Sequence, residues 1–202
     1  MKKVVAVAVF LVLVAAVAVG ALKYFPAGSS SAIAESSERA ASDLQTKIDV
    51  VKKAEADKNR RQRQKLDVSE AELESYVMLD LKKQIPFPMD SIRVHLTPGF
   101  VAADSRLTIP PGSTGNILTD ALVGGSHNFY VKGKLTGMNG VGKFDIQDVT
   151  VDGIPVPVIL VDTLVRKYAK PKHPEVDIRA PFELPWGIDA VEVGQGKGTV
   201  TY

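Results

Sequence analysis

Three histidines, His95, His127 and His173, are the residues best suited to bind a metal or move a proton near neutral pH. They form no i, i+4 pair and no His-Glu-x-x-His pattern, so folding would have to assemble any metal site. Solvated or hydrogen-bonded histidines are the expectation. Ser126-His127 is expected in a Gly-rich loop and Ser113 lies between Gly112 and Gly115, but neither serine has the Gly-x-Ser-x-Gly frame of a nucleophile elbow. Asp145, Asp148 and Asp152 alternate with apolar residues and read as the wet side of a strand. Gly137-x-x-x-x-Gly142-Lys143 mimics a phosphate loop, which needs Ser or Thr next and then a helix; Phe144 follows and a strand pattern continues, so a hairpin turn is expected. Gly194-x-Gly196-x-Gly198 has no helix after it and reads as a turn or bulge. The absence of cysteine excludes thiolate ligands, disulfides and a lipidated anchor. With no nucleophile–base pair and no ligand set, the expectation is a non-enzyme without cofactor or metal.

Apolar contact is the remaining chemistry. Leu73, Val77, Leu81, Phe144, Leu160, Leu164, Phe182 and Trp186 are the residues expected to line a ligand groove, if one exists; the competing expectation is that all are ordinary core. Trp186, in the break Leu184-Pro185-Trp186-Gly187, is either a plug at a sheet corner or a residue at the groove mouth.

The elements positioning these residues follow from periodicity. Ser69 and Glu72 form a capping box that starts a helix near Glu70, with Leu73, Tyr76, Val77, Leu81 and Ile85 on one face until Pro86 and Pro88 end it. Ile92, Val94 and Leu96 alternate with polar residues, and Pro98-Gly99 turns the chain into a partner over 100–109. The Pro- and Gly-rich stretch 110–115 breaks the chain, and 117–123 suits a short helix. Phe129, Val131 and Leu135 define another strand, and Met138-Asn139-Gly140 reads as a turn. A parity switch between Phe144/Ile146 and Val149/Val151 predicts a bulge at Gln147-Asp148. Pro155 and Pro157 open a second helix with a stripe of Val161, Leu164, Val165 and Tyr168. Strands are expected over 176–184, 188–193 and up to Tyr202.

Val4–Leu22 is an uncharged run of nineteen residues, enough to cover about 28 Å of hydrocarbon. Tyr24 and Phe25 suit the interface, and Lys2 and Lys3 place the N-terminus in the cytoplasm. Ala32-Ile33-Ala34 fits a signal-peptide cleavage site, but the apolar run exceeds the usual signal core and favours an uncleaved anchor. Either way the rest of the chain is exported. Residues 35–65 lack Pro and Gly and suit a helical stalk whose thin seam, Leu44, Ile48 and Val51, serves a spacer or a self-associating coil. Residues 60–65 form a basic run that reads as a solvated helix end or as a contact for anionic lipid. Residues 1–65 carry 12 Lys/Arg against 6 Asp/Glu, and residues 66–202 carry 13 against 17. A mildly acidic folded part argues against a nucleic-acid-binding domain.

Gly133-Lys134-Leu135, Val141 to Gly153, Ile154-Pro155-Val156-Pro157 and Phe182-Glu183-Leu184-Pro185-Trp186-Gly187-Ile188 together resemble poorly characterised bacterial exported proteins of the YpmS and LmeA type. The resemblance covers roughly residues 66–202. It implies a helix-on-curved-sheet domain akin to tubular lipid-binding domains, with a lipid or other apolar envelope ligand, and transfers no catalytic residue.

The expectation is an α+β protein. A transmembrane anchor (1–25) and a linker with helical stalk (26–65) precede an exported domain (66–202), an antiparallel, curved sheet of about six or seven strands packed with two amphipathic helices. It would sit as a single-pass protein in the inner membrane with a periplasmic binding module for a lipid or apolar ligand. The alternative is a structural scaffold acting through an envelope protein partner.

Overall fold

The computed structural model describes residues 37–56, 63–81, 88–109, 125–164 and 180–202. The apolar run Val4–Leu22, the helix expected over 117–123, His173, Ser113 and residues 176–179 of the strand expected over 176–184 lie outside them. Among the described residues no helix is long and apolar enough to cross a membrane.

The protein is α+β, built on one curved antiparallel sheet. Its strands are β1 (Lys65–Ser69), β2 (Met89–Thr97), β3 (Phe100–Ile109), β4 (Gly125–Met138), β5 (Val141–Val151), β6 (Ile154–Pro155), β7 (Phe182–Glu183), β8 (Ala190–Val193) and β9 (Lys197–Thr201). The helices are α1 (Glu38–Ala56), α2 (Glu70–Tyr76, extended by a π turn over Val77–Leu81) and α3 (Val158–Leu164).

The long strand β4 organises the sheet. One edge pairs with β5 from Phe129↔Val151 to Met138↔Val141. The other pairs first with β3, from Ile109↔Gly125 to Phe100↔Lys134, and then with β8 at Gly137↔Val191. Two units therefore share one edge of β4: the β2–β3 hairpin, and β8-β9-β1. They meet where Gly99 N donates to Val193 O at 2.9 Å and Gly196 N to Leu96 O at 2.9 Å. β6 and β7 cover the two ends of the outer edge of β5.

Local sequence explains much of this. Asn139-Gly140 and Asp152-Gly153 are two-residue turns with positive φ at both positions, the backbone twist that closes tight hairpins. The β4–β5 register shifts so that Gln147 is the extra residue, the bulge that the parity switch predicts. Gly133 and Gly142 admit rings: the Phe144 ring lies against the α-carbon of Gly133, and Phe182 atoms sit 2.6 Å from where a Cβ on Gly142 would be.

The main core lies on the inner face of β2–β5. Met89, Leu107, Phe129, Val149 and Val151 are fully enclosed there, beneath Val77 and Leu81 of α2 and Val161 of α3. A second cluster joins Val51 of α1 to Ile188, Tyr202 and half-buried Trp186.

That second cluster corrects the expectation of a solvated stalk. α1 lies on the domain, and Leu44 and Val51 are buried against it rather than offered to a second chain. Ser37 Oγ accepts Ala40 N–H at 3.4 Å at the start of α1, while Ser37 N donates to Ser75 Oγ of α2 at 3.0 Å. Tyr76 Oη donates to Gln45 Oε1 at 3.2 Å, and the Lys47 ammonium sits 2.6 Å from Glu72. An amphipathic helix with a thin stripe needs a partner surface to be stable, and here α2 and the turn Pro185–Gly187 provide it.

Candidate functional site

The expected groove residues do not meet in one place. Leu73, Val77, Leu81 and Phe144 join the main core, whereas Trp186 belongs to the cluster under α1. Phe182 covers Gly142 at the outer edge of β5. The side chains of Leu160 and Leu164 lie outside the described residues. Trp186 occupies a left-handed backbone position, φ 56°, with the Lys52 ammonium 5.2 Å from its ring centroid. Its ring packs, half-buried, on the cluster of Val51, Ile188 and Tyr202.

The other motifs resolve as turns or surface. Gly137 to Lys143 spans the β4–β5 hairpin, with Lys143 paired to Asp145 at 2.8 Å. Gly194 to Gly198 spans the β8–β9 turn. Exposed His95 lies 3.8 Å from Asp104. Among the described residues no group of three or more His, Asp or Glu could hold a metal ion.

His127 is hydrogen-bonded, one of the two expected outcomes, but its setting is not the expected loop. The Gly-rich stretch around it is strand, not loop: β4 begins at Gly125, and His127 pairs with Leu107 of β3. It shares the parity of Phe129 and Val131, so its ring points into the core, 4% exposed. The Phe129 ring meets it edge-on, with centroids 6.5 Å apart.

Asp152 is likewise not on the wet side of a strand. It is the first residue of the β5–β6 turn, and the positive φ of 50° swings its side chain back over the sheet end, where it is 2% exposed. Its Oδ2 lies 2.8 Å from His127 Nδ1, and its Oδ1 accepts Asn128 N–H at 2.9 Å. Asp152 N in turn donates to Asn128 O at 2.8 Å. Two contacts from β4 thus hold the carboxylate, and a third holds the Asp152 backbone. An ionised carboxylate only accepts, so Nδ1–H is the donor that suits this contact, and a ring with its single proton there presents a lone pair at Nε2.

Among the described residues that buried Nε2 has no hydrogen-bond partner. Ser105 Oγ is in the same condition, 4% exposed and unpartnered. Ser105 pairs with Phe129 and so sits diagonally across from His127 on the same face. Diagonal neighbours in an antiparallel pair are about 7–8 Å apart at Cα. Sequence reasoning missed Ser105, although its parity with Ala103 and Leu107 marks the inner face. Ser105, His127 and Asp152 have the residue types of a hydrolytic triad, but Ser105 Oγ makes no hydrogen bond to Nε2, the contact by which a base activates a serine.

A second polar cluster is structural. Burial opposes the charged form of Glu72, but the Lys47 ammonium and the Ser69 backbone and hydroxyl donors outweigh it and hold the carboxyl below its ordinary value. On the surface, Asp67 is lowered by hydrogen bonds from Lys197 at 2.6 Å and Thr199 at 2.7 Å.

Comparison with protein-family models, with curated proteins and with solved structures gives no match to this chain.

Proposed function

We infer that the chain is a membrane-anchored binding module, exported to the outer side of the cytoplasmic membrane, whose domain takes a lipid or other apolar ligand. The inner face of β2–β5 supports this reading. It is an apolar surface across four strands, broken by Ser105 and His127, whose buried atoms lack partners. Each orphaned group costs about 1–3 kcal/mol, and positions filled for stability alone would carry aliphatic side chains. Polar groups kept at such a cost are typical of sites where a few polar atoms orient a mostly apolar ligand. The anchor Val4–Leu22 would place the domain beside a store of such molecules.

Native mass spectrometry of the full chain, purified from membranes in detergent and followed by organic extraction, tests this. A co-purifying lipid or other apolar molecule supports the reading. A clean apo mass, with no uptake of added envelope lipids, overturns it.

One observation favours a scaffold as the second reading. Met138 and Val141 face each other at the tip of the β4–β5 hairpin and are 71% and 48% exposed. An apolar hairpin tip of this kind suits contact with a protein partner. Cross-linking from Met138 in the native membrane tests that reading.

A further inference from the structure

We propose that Ser105 Oγ and His127 Nε2 form the polar end of the ligand site and select an alcohol: an amphiphile with one free hydroxyl beside an apolar body. The proposal rests on the binding-module reading and adds the chemistry of the group recognised.

The two atoms have complementary requirements. Asp152 accepts a hydrogen bond from Nδ1–H, so with the ring neutral Nε2 offers a lone pair and asks for a donor. Ser105 Oγ can donate or accept. A hydroxyl meets both needs: its proton goes to Nε2 and its oxygen accepts from Ser105. An ether oxygen satisfies Ser105 alone. A carboxylate presents lone pairs to the Nε2 lone pair and brings a negative charge within one imidazole ring of Asp152, so it is disfavoured.

The two atoms lie near one end of the described β3–β4 ladder. The Leu107↔His127 pair lies two residues in from Ile109↔Gly125, the last pair of the β3–β4 ladder. His127 is therefore about 7 Å from the end of the ladder among the described residues. Leu107, Phe129 and Val151 are enclosed beneath α2 and α3, so an apolar body extending from the hydroxyl along the inner face would have to part that packing to meet them. The Asp152-Gly153 turn fixes the ring from the opposite side, so the acceptor is preorganised before anything binds.

The test uses the full chain in one detergent with three probes of equal chain length: dodecan-1-ol, its methyl ether and dodecanoate. Affinities come from native mass spectrometry. Ring-15N histidine reports the protonation and hydrogen bonding of Nε2, and a His95→Gln/His173→Gln background leaves His127 as the only labelled ring. The alcohol is expected to bind about tenfold more tightly than the ether and to shift the Nε2 resonance, since one lost hydrogen bond to a buried acceptor is of that order. Ser105→Ala is expected to reduce the alcohol's advantage severalfold. Equal binding of alcohol and ether would overturn the hydroxyl assignment while leaving the apolar-ligand reading in place. Preference for dodecanoate would overturn the donor–acceptor assignment. Failure of all three probes to bind would overturn both readings.

Discussion

Glu74 Oε1 accepts the main-chain N–H of Val94 at 2.7 Å, and one helical turn earlier Glu70 Oε1 accepts that of Leu96 at 2.5 Å. Four residues of helix rise about 6 Å and two residues of strand about 6.8 Å, so an i, i+4 glutamate pair matches the spacing of outward N–H groups on β2. α2 thus closes a sheet edge that would otherwise present unpaired donors.

Removing both carboxylates, as Glu70→Ala with Glu74→Ala, should cost about 2–4 kcal/mol, because each leaves a partly buried N–H without its charged acceptor. Glutamine at both positions keeps a carbonyl acceptor and should cost less. Chemical denaturation measures the difference. Concentration-dependent light scattering should rise for the alanine pair as β2 becomes a free edge.

Ser69→Ala should lower stability by about 1 kcal/mol, since it removes one arm of a capping box in which Glu72 Oε2 also accepts Ser69 N at 2.8 Å. The depressed Glu72 carboxyl sets the pH dependence. Its contribution is full above its ordinary value of 4.5 and is lost as pH falls below that through the folded value. Acid titration of stability should therefore show a smaller loss in Glu72→Gln than in the parent.

The docking of α1 can be followed with the chain's single tryptophan. Val51→Asp puts a charge into the cluster that half-buries Trp186. The helix should lift from Trp186, with a red-shifted emission maximum and faster proteolysis within 38–56, while the main core stays folded. Unchanged emission and proteolysis would show that α1 does not need this contact.

At the sheet end, Asp152→Ala should destabilise by about 2–4 kcal/mol, because it strands His127 Nδ1 and Asn128 N and puts alanine at a positive φ. Asp152→Asn tolerates the left-handed backbone and retains an acceptor, and should cost about half as much. Thermal unfolding of the two variants checks the order.

Adding a methyl at Gly133 tests the covering of glycine by Phe144. The ring and the Asp145 carbonyl already occupy the place of a Cβ, so Gly133→Ala should cost about 1–3 kcal/mol by overpacking. Phe144→Leu in the same chain should recover part of that loss in a double-mutant cycle.

Much of the framework was legible because its signals are local. Ser69 and Glu72 announce the start of α2, Asn139-Gly140 announces a hairpin, and the parity change across Gln147 announces the bulge. β1 was not legible: residues 65–69 read as the approach to a helix because their partners, residues 197–201, are some 130 positions away. α1 looked like a free stalk for the same reason, since Ser75, Tyr76 and Trp186 become its neighbours through tertiary folding. The candidate site was hidden twice. Gly124-Gly125 suggests a loop around His127, although the parity of Phe129 and Val131 extended backwards would have put it inside. Strand alternation sends Asp152 outward, and the Asp-Gly turn reverses that direction.

The bond between Ser37 N and Ser75 Oγ fixes where any leash to a membrane would begin. In a chain held at Val4–Leu22, fourteen residues separate the anchor from Ser37, a reach of at most about 50 Å. A free-standing α1 would have added about 28 Å of rigid spacer. With that length folded back, a domain so anchored would be confined to a shallow zone above the bilayer. Short tethering raises the effective concentration of molecules in the same membrane and puts a distant layer of the envelope out of range.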